Sequence, residues 1–129
     1  MIYLDSSAIV KLAHQEGETD ALRAWLAANP GPLAASALAR TETARALVRI
    51  DPTALPVLQA VLALLHQKPV TDAVLDAAAQ LPGETLRSLD AIHLATAEEL
   101  VPVLAWFVSY DKRLAEAARS RGLPVVSPG

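Results

Sequence analysis

The stretch Val103-Leu104-Ala105-Trp106-Phe107-Val108-Ser109-Tyr110-Asp111-Lys112-Arg113-Leu114 decides the fold. From Val103 to Ser109 it is apolar at nearly every position and rich in aromatic and β-branched residues, which predicts a buried strand. Asp111 then opens a helical pattern that runs to Arg121 and stops at Gly122. A buried strand running directly into a helix is the unit from which parallel sheets are built.

The same unit recurs outward from this stretch. Leu123 to Val126 reads as a last short strand. Upstream, Ser88 is the expected cap of a helix through Leu100, after a Pro82-Gly83 turn. Thr71 caps a helix to about Leu81, and Pro69 interrupts the pattern before it. Asp51-Pro52 restarts a helix carrying Leu55, Leu58, Leu62 and Leu65 at helical spacing. Ala37 to Ile50 is a helix, preceded by a weaker strand at Leu33 to Ser36, because alanine is a poor strand former. Glu18 to Ala28 places Leu22, Trp25 and Leu26 on one helical face and ends at Asn29-Pro30-Gly31. At the N-terminus, Ile2 to Leu4 is a short strand running into Asp5-Ser6-Ser7 and a helix to about His14. Strands alternating with helices predict an α/β fold with a mostly parallel sheet.

At 129 residues, with no repeat or low-complexity linker, the chain fits one domain over 1–129. Its 53% hydrophobic content excludes intrinsic disorder. Alanine supplies 26 of those residues, so the core depends on close approach of elements rather than bulky side chains. A net charge of −3 excludes a generally basic nucleic-acid coat, though not a nuclease with a local basic rim. The absence of cysteine removes disulfide scaffolds, thiolate zinc sites and cysteine nucleophiles together. With no signal-peptide pattern at Met1 and no apolar run longer than Ala60–Leu65, the expected location is cytoplasmic, with no membrane partner. Five unclustered glycines exclude a P-loop or dinucleotide fingerprint.

Four acids stand out. Asp5 and Asp111 each follow a strand, and ligand sites in open α/β sheets gather beyond the carboxyl ends of strands. Each also suits a helix N-cap, a role that needs no function. Asp90 shares a helical face with Leu94 and Ala97, so it sits on an apolar stripe and needs a cation or donor. A pair with His93 would satisfy it as well. Glu42 has Arg45 and Arg49 on its face, and helix geometry alone makes it an ordinary exposed Glu–Arg pair. The histidines His14, His66 and His93 show no metal-site spacing; His93 suits packing or a supporting role. Ser6, Ser7 and Ser109 flank the acids without a histidine placed to make any of them a nucleophile.

Taken in order, Ile2-Tyr3-Leu4-Asp5-Ser6-Ser7, Arg40-Thr41-Glu42, Leu89-Asp90-Ala91-Ile92-His93-Leu94-Ala95 and Ser109-Tyr110-Asp111-Lys112-Arg113-Leu114 resemble the PIN domain family. More narrowly they resemble the VapC-type toxins of bacterial and archaeal toxin–antitoxin pairs, over essentially the whole chain. The resemblance implies a three-layer α/β/α sandwich and a Mg²⁺- or Mn²⁺-dependent endoribonuclease. It also implies a cognate antitoxin that inserts a segment into the active-site groove. The family's acidic quartet falls on Asp5, Glu42, Asp90 and Asp111, with Asp5, Asp90 and Asp111 as metal ligands and Ser109 in support. Glu42 thereby gains a role that helix geometry does not give it. Hard oxygen donors suit Mg²⁺ or Mn²⁺ better than Zn²⁺, and clustered carboxylates need a cation to offset their repulsion. Arg40, Arg45, Arg49, Arg87, Lys112 or Arg113 would meet RNA phosphates.

Two other classes fit the residues: a different metal-dependent phosphoryl hydrolase or DNA nuclease, and a non-catalytic interaction module whose acids only cap helices. The helix from Thr53 to Leu65 is apolar on two stripes, one with Leu55, Leu58, Leu62 and Leu65, the other with Val57, Val61 and Leu64. Such a helix must be covered on more than one side. The Val74–Leu81 helix is one cover; a second chain is the other. The resemblance favours the second, as a homodimer with an antitoxin groove beside it.

Overall fold

A computed structural model describes residues 1–129. Its strands are β1 (Ile2–Leu4), β2 (Leu33–Ser36), β3 (Leu65–Lys68), β4 (Trp106–Val108) and β5 (Val125–Val126). Its helices are α1 (Ser6–Ala13), α2 (Thr19–Ala28), α3 (Ala39–Ile50), α4 (Leu55–Ala63), α5 (Asp72–Ala79), α6 (Ser88–Glu99) and α7 (Lys112–Ser120). All strand pairs are parallel, in the order β3-β2-β1-β4-β5. The chain therefore builds outward from β1 on one side, then returns to add β4 and β5 on the other. The reversal between β1 and β4 is the switch point at which open α/β sheets hold ligands.

Side chains alternate across the sheet, and the two faces take different helices. Ile2 and Leu4 of β1, Ala35 of β2 and Val108 of β4 join a core with Ala8 and Ile9 of α1, Leu22 of α2, Leu47 of α3, and Leu58 and Leu62 of α4. Tyr3, Ala34 and Phe107 face the other way, against Leu94 and Ala97 of α6 and Leu114 and Ala118 of α7. Tyr3 and Phe107 stack with ring centroids 5.2 Å apart. Outside this layer, Val74 and Ala78 of α5 pack on Ala91 and Ala95 of α6. Helices cover both faces, so the three-layer α/β/α expectation holds.

The ends of α7 follow from its sequence. Asp111 caps its start, and Gly122, at φ +81°, turns the chain where a Cβ would be strained. The N–H groups of Gly122 and Leu123 then close on the carbonyls of Arg119 and Ala118, satisfying the last turn.

Several expected boundaries move. Leu65 does not continue the helix before it: α4 ends at Ala63, and Leu65–Lys68 is the edge strand β3. In that strand only Leu65 is apolar, and the pairing with β2, not a side-chain pattern, makes it extended. The strand expected over Val103 to Ser109 is confined to Trp106–Val108, because Pro102 closes a short 3₁₀ turn over Val101–Val103. Ser88 is the first residue of α6 rather than its cap. Arg87 holds the cap position with extended backbone and offers no side-chain acceptor. The helix expected from Ala37 begins at Ala39, and Ser36 Oγ accepts the Leu38 N–H just before it.

Candidate active site

Asp5 ends β1 and caps α1, its Oδ1 accepting the Ala8 N–H at 3.0 Å. Oδ1 also takes the Ser7 hydroxyl at 2.6 Å, and Oδ2 takes the Ser109 hydroxyl at 2.5 Å. The side chain is only 2% exposed. Burial pushes its carboxyl above the usual range, against the three donors that favour the anion. Ser7 Oγ accepts the Tyr110 N–H at 2.9 Å, tying the end of β1 to the end of β4. The β1–β4 register, Leu4 opposite Val108, is what makes these contacts reachable.

Asp111 lies one turn of chain beyond β4. Its Oδ1 accepts the N–H groups of Arg113 and Leu114 at 3.0 and 3.1 Å, and its own N–H donates to Ser109 Oγ. Asp5 and Asp111 are thus both true helix caps. For Asp111, capping leaves room for a role at the switch point, because Oδ2 has no protein donor.

Asp90 sits in the first turn of α6, half-buried, with no hydrogen-bond or ion-pair partner. Its carboxyl is raised, first by burial and then by the charge of Asp111, with Glu42 and Asp5 adding to it; only His93 opposes. The expected alternative, a direct pair between Asp90 and His93, is not formed. The other three acids therefore all lie within electrostatic reach of Asp90, although they come from three other segments.

Glu42 departs most from its geometric reading. Since α3 starts at Ala39, Glu42 occupies its first turn and points to α6 rather than to Arg45 or Arg49. Oε1 lies 2.5 Å from His93 Nε2 and accepts the Ser6 hydroxyl at 2.6 Å. Burial pushes its carboxyl up, but the bonds from His93 and Ser6 outweigh it and the group is held below its ordinary value. Ser6 Oγ is also 3.3 Å from His93 Nε2, so a serine beside a histidine does exist here. Its hydroxyl proton is directed to the carboxylate, which leaves no serine–histidine nucleophile.

His93, expected to be incidental or supporting, is central. It is 1% exposed, and its Nδ1 lies 2.7 Å from the Tyr3 hydroxyl. The signal for it in the sequence was its position one turn after Asp90, on the same side of the helix. Tyr3, read only as part of an apolar strand, carries no such signal.

The donor set suits a hard divalent cation: the three acids acting on Asp90 offer oxygen, and Asp90 has no ion-pair partner of its own. As the side chains stand, no three acidic or imidazole groups form a ready chelate. Both Asp5 oxygens accept hydroxyl donors, and Glu42 Oε1 is turned to His93. Around the acids, Arg40, Arg87, Lys112 and Arg113 are exposed and form no ion pair, each within three residues of an acid. Beside Asp111, a cleft of about 670 Å³ has a lining of mixed charge, with Lys11, Lys112 and Arg119 against Glu18 and Glu116.

The chain is similar to characterised proteins along its whole length. The family model described as "PIN domain" matches residues 2–120. Ribonuclease VapC35 of Mycobacterium tuberculosis is 45% identical over 132 residues, covering 100% of this chain and 98% of that one. In fold, the chain matches the crystal structure of M. tuberculosis VapC20, a sarcin-ricin-loop-cleaving toxin, with a TM-score of 0.80 over 99% of this chain and 100% of that one, at 17% identity. A toxin–antitoxin complex from Klebsiella pneumoniae matches with a TM-score of 0.72 at 20% identity, over 100% of this chain and 98% of that one. An all-parallel sheet with acids at its switch point, a family model spanning nearly the whole chain and a full-length relative at 45% identity agree: the chain belongs to the PIN domain family.

Proposed function

We propose that this chain is the endoribonuclease toxin of a toxin–antitoxin pair and that it cleaves RNA phosphodiesters with the help of Mg²⁺ or Mn²⁺. The observation that carries the reading is Asp90: a half-buried carboxylate without a donor, facing three other acids at the carboxyl edge of the sheet. That arrangement is costly unless a cation or a phosphate-bound ion completes it. Asp5, Asp90 and Asp111 would hold the ion. When bound, it supplies charge for the leaving oxygen and an acidic water for in-line attack.

The chain's own residues supply the rest. Ser109 and Ser7 hold the Asp5 carboxylate at fixed orientation through both its oxygens. Glu42, held ionised by His93 and Ser6, keeps Oε2 free to orient or deprotonate a water. Arg40, Arg87, Lys112 and Arg113, exposed and each within three residues of an acid, would meet flanking phosphates, so a net charge of −3 does not oppose RNA binding. Arg45 and Arg49 lie further along α3, away from the acid in its first turn.

The test is cleavage of RNA, duplex DNA and a phosphomonoester by the purified protein, with and without Mg²⁺. RNA cleavage that needs the ion and disappears in folded Asp5→Asn, Asp90→Asn and Asp111→Asn is expected. Full activity in a folded Asp90→Asn protein would overturn the assignment, and hydrolysis of the monoester alone would move the chain to another phosphoryl class.

A further inference from the structure

Tyr3, His93 and Ser36 form a buried line of hydrogen bonds that ends on Glu42. The Ser36 N–H, at the end of β2, donates to the Tyr3 hydroxyl oxygen at 3.2 Å. The phenol oxygen lies 2.7 Å from His93 Nδ1, and His93 Nε2 lies 2.5 Å from Glu42 Oε1. Tyr3 and His93 are 0% and 1% exposed, so water does not compete for these positions.

The directions of these bonds follow from the donor inventory. Ser36 N–H can only donate, which makes the phenol oxygen its acceptor. The phenol proton then has one partner within reach, His93 Nδ1, and that nitrogen must be the acceptor. Nε2 is left carrying the ring hydrogen, and it points at the carboxylate. A tyrosine in the middle strand of the sheet thus selects the tautomer of a histidine on α6, which in turn holds an acid on α3.

We infer that His93, locked by the Tyr3 hydroxyl, is a positioning residue that fixes the Glu42 carboxylate through Oε1 and leaves Oε2 free for the reaction. This rests on the endoribonuclease reading above. Phenylalanine at position 3 would fill the same space against Phe107, where the rings already stack. The hydroxyl is therefore a feature that packing does not require. The same holds for His93, whose place on α6 between Asp90 and Leu94 faces a core where an apolar residue would cost less burial.

The test uses the full chain with His93→Leu, His93→Gln, Tyr3→Phe, Glu42→Gln and the Glu42→Gln, His93→Leu double variant. RNA cleavage is measured well below each melting transition. A misplaced Glu42 should lower kcat about a hundredfold in His93→Leu with KM little changed. His93→Gln, whose amide can also donate to Glu42, should recover most of the loss. The double variant should be no slower than Glu42→Gln alone, since the histidine acts only through that carboxylate. Losses that add, or a glutamine variant as slow as the leucine one, would overturn the inference and leave a purely structural histidine. Imidazole nitrogen NMR reads the same point without RNA: the wild type should show the Nε2–H tautomer, and Tyr3→Phe should disturb it. An Nδ1–H tautomer in the wild type would overturn the inference, whereas absence of cleavage by a protein with the expected tautomer would fall on the functional reading.

Discussion

Among single residues, Asp90 gives the clearest link between electrostatics and stability. Its carboxyl is raised above its ordinary value by burial and by Asp111, so ionising it opposes folding. The sign follows directly. A raised acid favours the folded state when protonated, below the unfolded value, and that contribution is lost as pH rises through the folded value. Asp90→Asn removes the charge altogether. In the absence of divalent cations the variant should therefore melt higher than the wild type at pH 7, and the difference should shrink as pH falls toward 4. Melting curves at the two pH values check this; a gap that widens on acidification would contradict it. Glu42 behaves oppositely. Its lowered carboxyl contributes stability above its ordinary value of 4.5, lost as pH falls through the folded value.

For the elements, α4 shows how one apolar helix divides between core and surface. It packs on α1 and α3, while α5 turns away and packs on α6. The Val74–Leu81 segment is therefore not the cover of α4, contrary to one of the two expectations. Leu58 and Leu62 are buried, but Val57 is 48% and Leu64 73% exposed. Leu58→Ala should cost about 2–5 kcal/mol, the range for a truncated core leucine. Leu64→Ala should cost about 0.5 kcal/mol or less in the monomer. Denaturant unfolding of both variants tests the contrast, and equal losses would mean that α4 is covered on both sides.

For the whole molecule, the acids come from four segments, so an ion held as proposed would couple its binding to folding. Millimolar Mg²⁺ or Mn²⁺ should raise the melting temperature by mass action, since the proposed site exists only in the folded chain. The Asp5→Asn, Asp90→Asn double variant should lose that increment. An identical increment in the variant would place the ion elsewhere. Val48 and Ile50 of α3, Val57 of α4 and Leu64 just past its end are exposed. We propose that a second copy covers them; light scattering at tens of micromolar should then give twice the chain mass, and a strict monomer would end the proposal.

The alternation of apolar strands with capped helices was enough to determine an α/β fold with a parallel sheet, because burial on both faces leaves continuous apolar strands such as Trp106–Val108. Asp5 and Asp111 were legible as acids at strand ends for the same reason. β3 was not legible, since Leu65-His66-Gln67-Lys68 has no strand pattern and is held by its pairing with β2. Nor was the environment of Glu42. Local spacing offered it Arg45 and Arg49, but Glu42 stands in the first turn of α3, and its bonded partners are Ser6 from α1 and His93 from α6. A sequence records which residues share a helical face; only the packing of helices on the sheet decides which face meets another. That is why Tyr3, an ordinary strand residue in the sequence, becomes the group that orients His93.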